Sequence, residues 1–121
     1  MMAEQESKDR AAKKAALDKE FARVVTGGLD EAQHLQQLLQ IPTKLALQSF
    51  IGSVALAGQA SDNSYHVQFN TGNTGYGSVW PQWAFDQAKP ALLSGKKLWV
   101  ISDGDPLGNN LLEVVILPQN A

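Results

Sequence analysis

Hydrophobic and polar positions follow different rules in the two parts of this chain. From Glu4 to Val25 nothing breaks a helix, and Ala, Lys, Glu, Arg and Gln dominate, residues that lose little entropy on becoming helical. An apolar stripe covers only the second half of that segment, where Leu17, Phe21, Val24 and Val25 recur at helical spacing. Ahead of Ala15 the apolar residues are alanines and the starting methionines, so residues 1–9 are expected to fray or to project into solvent unless a partner covers them. Gly27-Gly28 ends the helix. Asp30 then reads as the N-cap of a second helix over residues 31–40, with Gln33 placed to close a capping box. Leu35, Leu38 and Leu39 form its apolar face, and Pro42 is expected to stop it.

After residue 44 the period changes. Leu47–Gly58 is apolar on both faces and contains Gly52 and Gly58, which predicts a strand with a bend or bulge, a helix being the rival reading. Gln59–Ser64 is a turn by composition. Tyr65–Asn70 alternates, placing Tyr65, Val67 and Phe69 on a dry face and His66, Gln68 and Asn70 on a wet one. Thr71–Ser78 (TGNTGYGS) reads as a glycine-rich loop before a short strand at Val79-Trp80. Residues 84–94 predict a short helix restricted by Pro90 and capped by Gly95. Lys97–Ser102 and Leu111–Leu117 are apolar on both faces, as central strands are, and Asp103–Asn110 is the turn between them.

The fold class expected from this order is α+β: an N-terminal helical hairpin over residues 1–41, then a β-rich body over residues 42–121, within one compact domain. The body is a small, mostly antiparallel five-stranded sheet or a partly closed OB-like barrel, with one helix inserted between the third and fourth strands.

Composition sharpens this division. Residues 1–41 hold six basic and seven acidic side chains, against four and five in the rest of the 121-residue chain, and the net charge is -2. Neither part carries the cationic excess that duplex-DNA binding needs, so such binding is not expected. Single-stranded nucleic acid on an OB-like body is an alternative, weakened by a body whose only cations are Lys44, Lys89, Lys96 and Lys97. The chain has no cysteine, which excludes disulfides, a thiolate nucleophile and cysteine-ligated metal. No apolar run approaches the roughly 18 residues of a membrane span, and no membrane partner is expected. Met1–Arg10 lacks the apolar segment of a secretory signal, so a cytoplasmic location is expected.

The chain carries no family motif, and its candidate chemistry is sparse. Asp103, Asp105 and Gly108 begin like a calcium loop. The pattern then fails at Leu107 and places Glu113 one position early, so turn geometry explains the segment better. TGNTGYGS lacks the Gly-Lys-Ser/Thr ending of a phosphate loop. A hydrolase-type site would bring His66 to Ser53, Ser64 or Ser78 and to Asp62 or Asp86, but no nucleophile-elbow sequence marks these serines. His34 is expected on the solvent face of the second helix. No metal site and no cofactor are expected.

The aromatic group is the more informative feature. Tyr76, Trp80 and Trp83 crowd around Pro81, and with His66 and Gln68 they form the candidate ligand face, suited to a small molecule, a sugar or a peptide. Burial in a small core is the competing use of these rings. Leu17, Phe21, Val24 and Val25 are the candidate interface of a homo-oligomer formed through the N-terminal helices. The expected function is therefore that of a non-catalytic, self-associating binding or assembly protein, with a small hydrolase acting near His66 as the alternative.

Overall fold

The computed structural model describes residues 2–28 and 30–118. Its elements are α1 (Met2–Val25), α2 (Glu31–Lys44), β1 (Gln48–Gln59), β2 (Tyr65–Asn70), β3 (Gly75–Trp80), α3 (Gln82–Ser94), β4 (Leu98–Ser102) and β5 (Leu111–Ile116), with a 3₁₀ turn at Gly108–Asn110. The class is α+β: a helical hairpin, then an antiparallel five-stranded sheet with one inserted helix. The chain divides into two compact units, Met1–Leu47 and Gln48–Ala121.

In the first unit, helical backbone begins at Met2, two residues before the uninterrupted run from Glu4. The high intrinsic propensity of Ala, Glu, Gln and Lys carries the helix upstream once its later turns are formed. The expected projection into solvent concerns side chains that lie mostly outside the described residues. Asp30 caps α2 as predicted: its Oδ1 accepts from the Gln33 amide at 2.8 Å, while Gln33 Oε1 accepts from the Asp30 amide. Pro42 does not stop α2, which continues to Lys44. The helix ends instead in a Schellman arrangement, the Leu47 amide donating to the Pro42 carbonyl and the Ala46 amide to that of Thr43. Ala46 takes the left-handed conformation (φ 57°) that glycine usually supplies. Glu20 accepts from Arg23 of its own helix at 3.1 Å and, between the helices, from Lys44 at 3.2 Å. Those bonds, Arg23's first, hold its carboxyl below the usual glutamate range.

In the second unit the strand order is β3-β2-β1-β4-β5, antiparallel throughout. β1 serves two partners. Residues 48–52 pair with β4 and residues 53–59 with β2. The register breaks between Val54 and Leu56, so the irregularity expected in this strand falls at Ala55 rather than at a glycine. Gly52 instead permits a close approach of backbones, since a Cβ there would run into the Asn70 carbonyl and lie 3.1 Å from the Phe69 ring. One face of the sheet holds the core, built from Val54, Val67, Phe69, Trp80, Leu98, Val100, Leu111 and Val114 with Ala84, Phe85, Ala88 and Ala91 of α3. The alanines of α3 keep its backbone close to the strands. The helix starts at Gln82, two residues before the expected position, and runs through Pro90, whose lost amide bond falls on an exposed stretch. Gly95 (φ 70°) ends it as predicted.

The sheet is not closed. β3 and β5 are its edges, and the 3₁₀ turn ahead of β5 reaches β3 at one point, where a Cβ on Gly108 would strike the Val79 carbonyl. β4 is buried at all five positions, as its two-sided apolar pattern predicts.

Candidate functional site

The face of β1–β2–β3 opposite the α3 core is organised by cross-strand register. Gly58, His66 and Val79 form one row across the three strands, and Leu56, Gln68 and Gly77 form the next. Asn70 pairs with Ser53 on one side and Gly75 on the other. Large side chains and bare glycines therefore sit side by side. A Cβ on Gly77 would lie 2.7 Å from Gln68 Oε1, and one on Gly75 would lie 2.7 Å from Gln68 Nε2. Gln68 thus lies flat across two glycines, and its Nε2 donates to Asn70 Oδ1 at 2.9 Å. This accounts for a correction to the sequence reading: Gly75–Ser78 is strand rather than loop, and its glycines make room for a neighbour's side chain.

Leu56 and Val79 remain 52% and 49% exposed on this face, beside the polar His66 and Gln68. With Ala55 they line a shallow, mostly apolar depression of about 680 Å³. Neither β1, β2 nor β3 contains a Lys, Arg, Asp or Glu. The surface is neutral and half apolar.

At one end of it, the turn between β1 and β2 joins three of the residues weighed for hydrolysis. Ser64 Oγ donates to Asp62 Oδ1 at 2.6 Å and lies 2.8 Å from His66 Nε2. The proton order decides what this cluster can do. A hydroxyl has one proton, and it is given to Asp62, so Nε2 of His66 must donate into Ser64 rather than accept from it. The histidine cannot then act as the base that activates the serine, and the carboxylate orients the serine instead of the imidazole. Asp62 also accepts from the Ser64 amide at 3.1 Å, and the bonds from the Ser64 side chain and amide, in that order, hold its carboxyl below the usual aspartate range. The cluster fastens a turn in which Asn63 is left-handed (φ 70°).

The five candidate ligand residues are not brought together. Trp80 is 1% exposed and tilts against Phe69 in the core, its ring centroid 6.1 Å away. Tyr76 is half-buried on the same core face and meets the edge of Phe50 at 5.9 Å. His66 and Gln68 lie on the opposite face. Trp83 is 45% exposed in the first turn of α3. Of the candidate interface, Leu17 and Val24 are buried and Phe21 is half-buried, while Val25 is exposed. His34, expected on a solvent face, is half-buried with its Nε2 enclosed and unpartnered.

Hydrogen bonds to backbone carbonyls tie the Asp103–Asn110 turn together. Asn110 Nδ2 donates to the Asp105 carbonyl at 3.1 Å, Ser102 Oγ to that of Gly104 at 2.6 Å, and the Asp103 amide to that of Asn110 at 2.9 Å. Among the described residues no three His, Asp or Glu side chains converge as metal ligands, and no helix is long and apolar enough to cross a membrane. No family model, curated protein or solved structure matches the chain. Sequence reasoning missed Leu56 and Val79, which become neighbours of His66 and Gln68 only through strand register. The one signal that could have found them is the shared wet face fixed by Tyr65–Asn70.

Proposed function

We propose that the protein is a non-catalytic binding and assembly protein that meets a neutral, partly apolar peptide or protein surface on the outer face of β1–β2–β3. The observation that carries this reading is the exposure of Leu56 and Val79 on a three-strand face without a single charged side chain. Such a face gains by covering apolar surface and offers a nucleic-acid backbone nothing to neutralise. The proton order at Ser64 argues against the hydrolase alternative. Leu17 and Val24 are already covered within the chain, so self-association is assigned to the sheet rather than to the helical hairpin.

Backbone-amide NMR tests the reading, with a concentration series of the protein alone and titrations with a proline-rich peptide and a single-stranded oligothymidylate. Shifts that include residues 55–58, 66–68 and 77–79, caused by the peptide or by the protein's own concentration and removed at these residues by Leu56→Glu with Val79→Glu, are expected. Silence of these residues in the series and the peptide titration, or a response to oligothymidylate alone, overturns the reading.

A further inference from the structure

β3 is an edge strand, so half of its backbone groups have no partner strand among the described residues. Which half follows from the hairpin. The Thr71 amide donates to the Thr74 carbonyl at 2.9 Å, which makes these two a hydrogen-bonded pair. Antiparallel pairs alternate, so Asn70/Gly75, Gln68/Gly77 and His66/Val79 are the pairs without mutual bonds. The N–H and C=O groups of Gly75, Gly77 and Val79 therefore point away from β2. At Val79 the Gly108 turn closes over the carbonyl. Gly75 and Gly77 are left as two exposed residues offering a donor and an acceptor each, without a side chain to shield them.

Folded proteins protect such edges with charge, proline or a bulge. Here none of these is present in β3, and no Asp, Glu, Lys or Arg occurs from Asn63 to Phe85. We infer that β3 is a self-pairing edge: two copies of the chain join β3 to β3 in antiparallel fashion about a two-fold axis at Tyr76. Gly75 of each copy lies opposite Gly77 of the other, and each such pair exchanges both of its N–H···O bonds. The register is limited to these residues because the Gly108 turn blocks Val79. It gives every outward N–H of Gly75 and Gly77 a carbonyl of the other copy, and every outward carbonyl an N–H. An unrelated extended peptide fits less well, because glycines provide no side-chain pockets by which an edge selects a sequence. Identical uncharged strands bring no repulsion, and the two Tyr76 rings become cross-strand neighbours on the core side. The inference rests on the assembly reading above and names the partner and the contact.

Sedimentation velocity on the full chain, across a wide concentration series, tests it. The native protein is expected to dimerise. Gly77→Ala keeps the amide and should leave association in place, since the atom it crowds is the far end of the Gln68 side chain. Gly77→Pro removes an outward N–H without breaking any bond to β2, and should weaken dimerisation about tenfold or more. Gly75→Lys places two like charges on diagonal positions of one face across the junction, about 7–8 Å apart at the backbone, and should do the same if the proline variant misfolds. A native chain that stays monomeric, or a dimer indifferent to Gly77→Pro and Gly75→Lys while circular dichroism shows both folded, overturns the edge pairing. If that dimer dissociates on Leu56→Glu with Val79→Glu, the edge fails while the face reading stands. If the dimer is indifferent to those face substitutions as well and the face is silent in the NMR titrations, both fail.

Discussion

Gly52→Ala is the sharpest test of how the sheet is built. Gly52 is buried in β1 where the strand passes from pairing with β4 to pairing with β2. A Cβ at this position meets backbone on the neighbouring strand: it collides with the Asn70 carbonyl oxygen and lies 2.9 Å from the carbonyl carbon, with the Phe69 ring at 3.1 Å. Carbon–carbon contacts relax only near 3.5–4.0 Å, so β1 and β2 must part by something on the order of half an ångström or more. Overpacking of this kind costs about 1–3 kcal/mol, and the reduced freedom of the unfolded chain returns about 0.4–1 kcal/mol. The expected net loss is about 1–2 kcal/mol, seen as a fall in Tm of roughly 4–10 °C. Gly58→Ala, in the same strand, has nothing within 4 Å of the new carbon and should be neutral or slightly stabilising. Thermal unfolding followed by far-ultraviolet circular dichroism compares the two. Equal effects of the two substitutions, in either direction, would refute the close-approach account of Gly52.

The remaining predictions concern local features. Ala46→Gly should stabilise the first unit by about 0.5–1 kcal/mol in chemical denaturation, because it relieves a left-handed alanine at the end of α2. A carboxyl NMR titration should find Asp62 below the ordinary aspartate range and returning toward it in Ser64→Ala. Because the folded value is the lowered one, the stabilisation from Asp62 is fully present above the unfolded aspartate pKa. It is lost as pH falls through the folded value. Nitrogen-15 spectra should show neutral His66 protonated at Nε2; the Nδ1 tautomer would contradict the proton order at Ser64. Acrylamide should quench one tryptophan class efficiently, and Trp83→Phe should remove it, since Trp80 and Trp99 are each only 1% exposed.

Rules that act within a few residues were readable in advance. Asp30 and Gln33 predicted their own capping box, and the alternation of Tyr65–Asn70 fixed both the strand and its two faces. Failures came where a distant residue decides. Gly75 and Gly77 looked like loop because their reason lies across the strand, in the side chain of Gln68. Pro42 looked like a stop, yet the end of α2 is set by Ala46 and the two amides that close behind it. Tyr76, Trp80 and Trp83 looked like one surface because they are close in sequence. The first two point from β3 into the core, while the third belongs to α3, beyond the change of direction at Pro81. The outer face was legible only in its polar half, since the strands that bring Leu56 and Val79 to it are matched by register.

The double duty of β1 also bears on how the chain reaches this structure. Three of the four strand pairings join segments adjacent in sequence, two of them through short turns, and can form as local hairpins on a microsecond scale. The fourth, β1 with β4, must close a loop of about fifty residues that contains β2, β3 and α3. Folding therefore reduces to one slow meeting of two preassembled ribbons along residues 48–52. Changes near Gly52 should slow refolding by hindering the meeting of the ribbons. Changes at the hairpin turns should slow it too, by depleting the ribbons beforehand, and both should have smaller effects on unfolding.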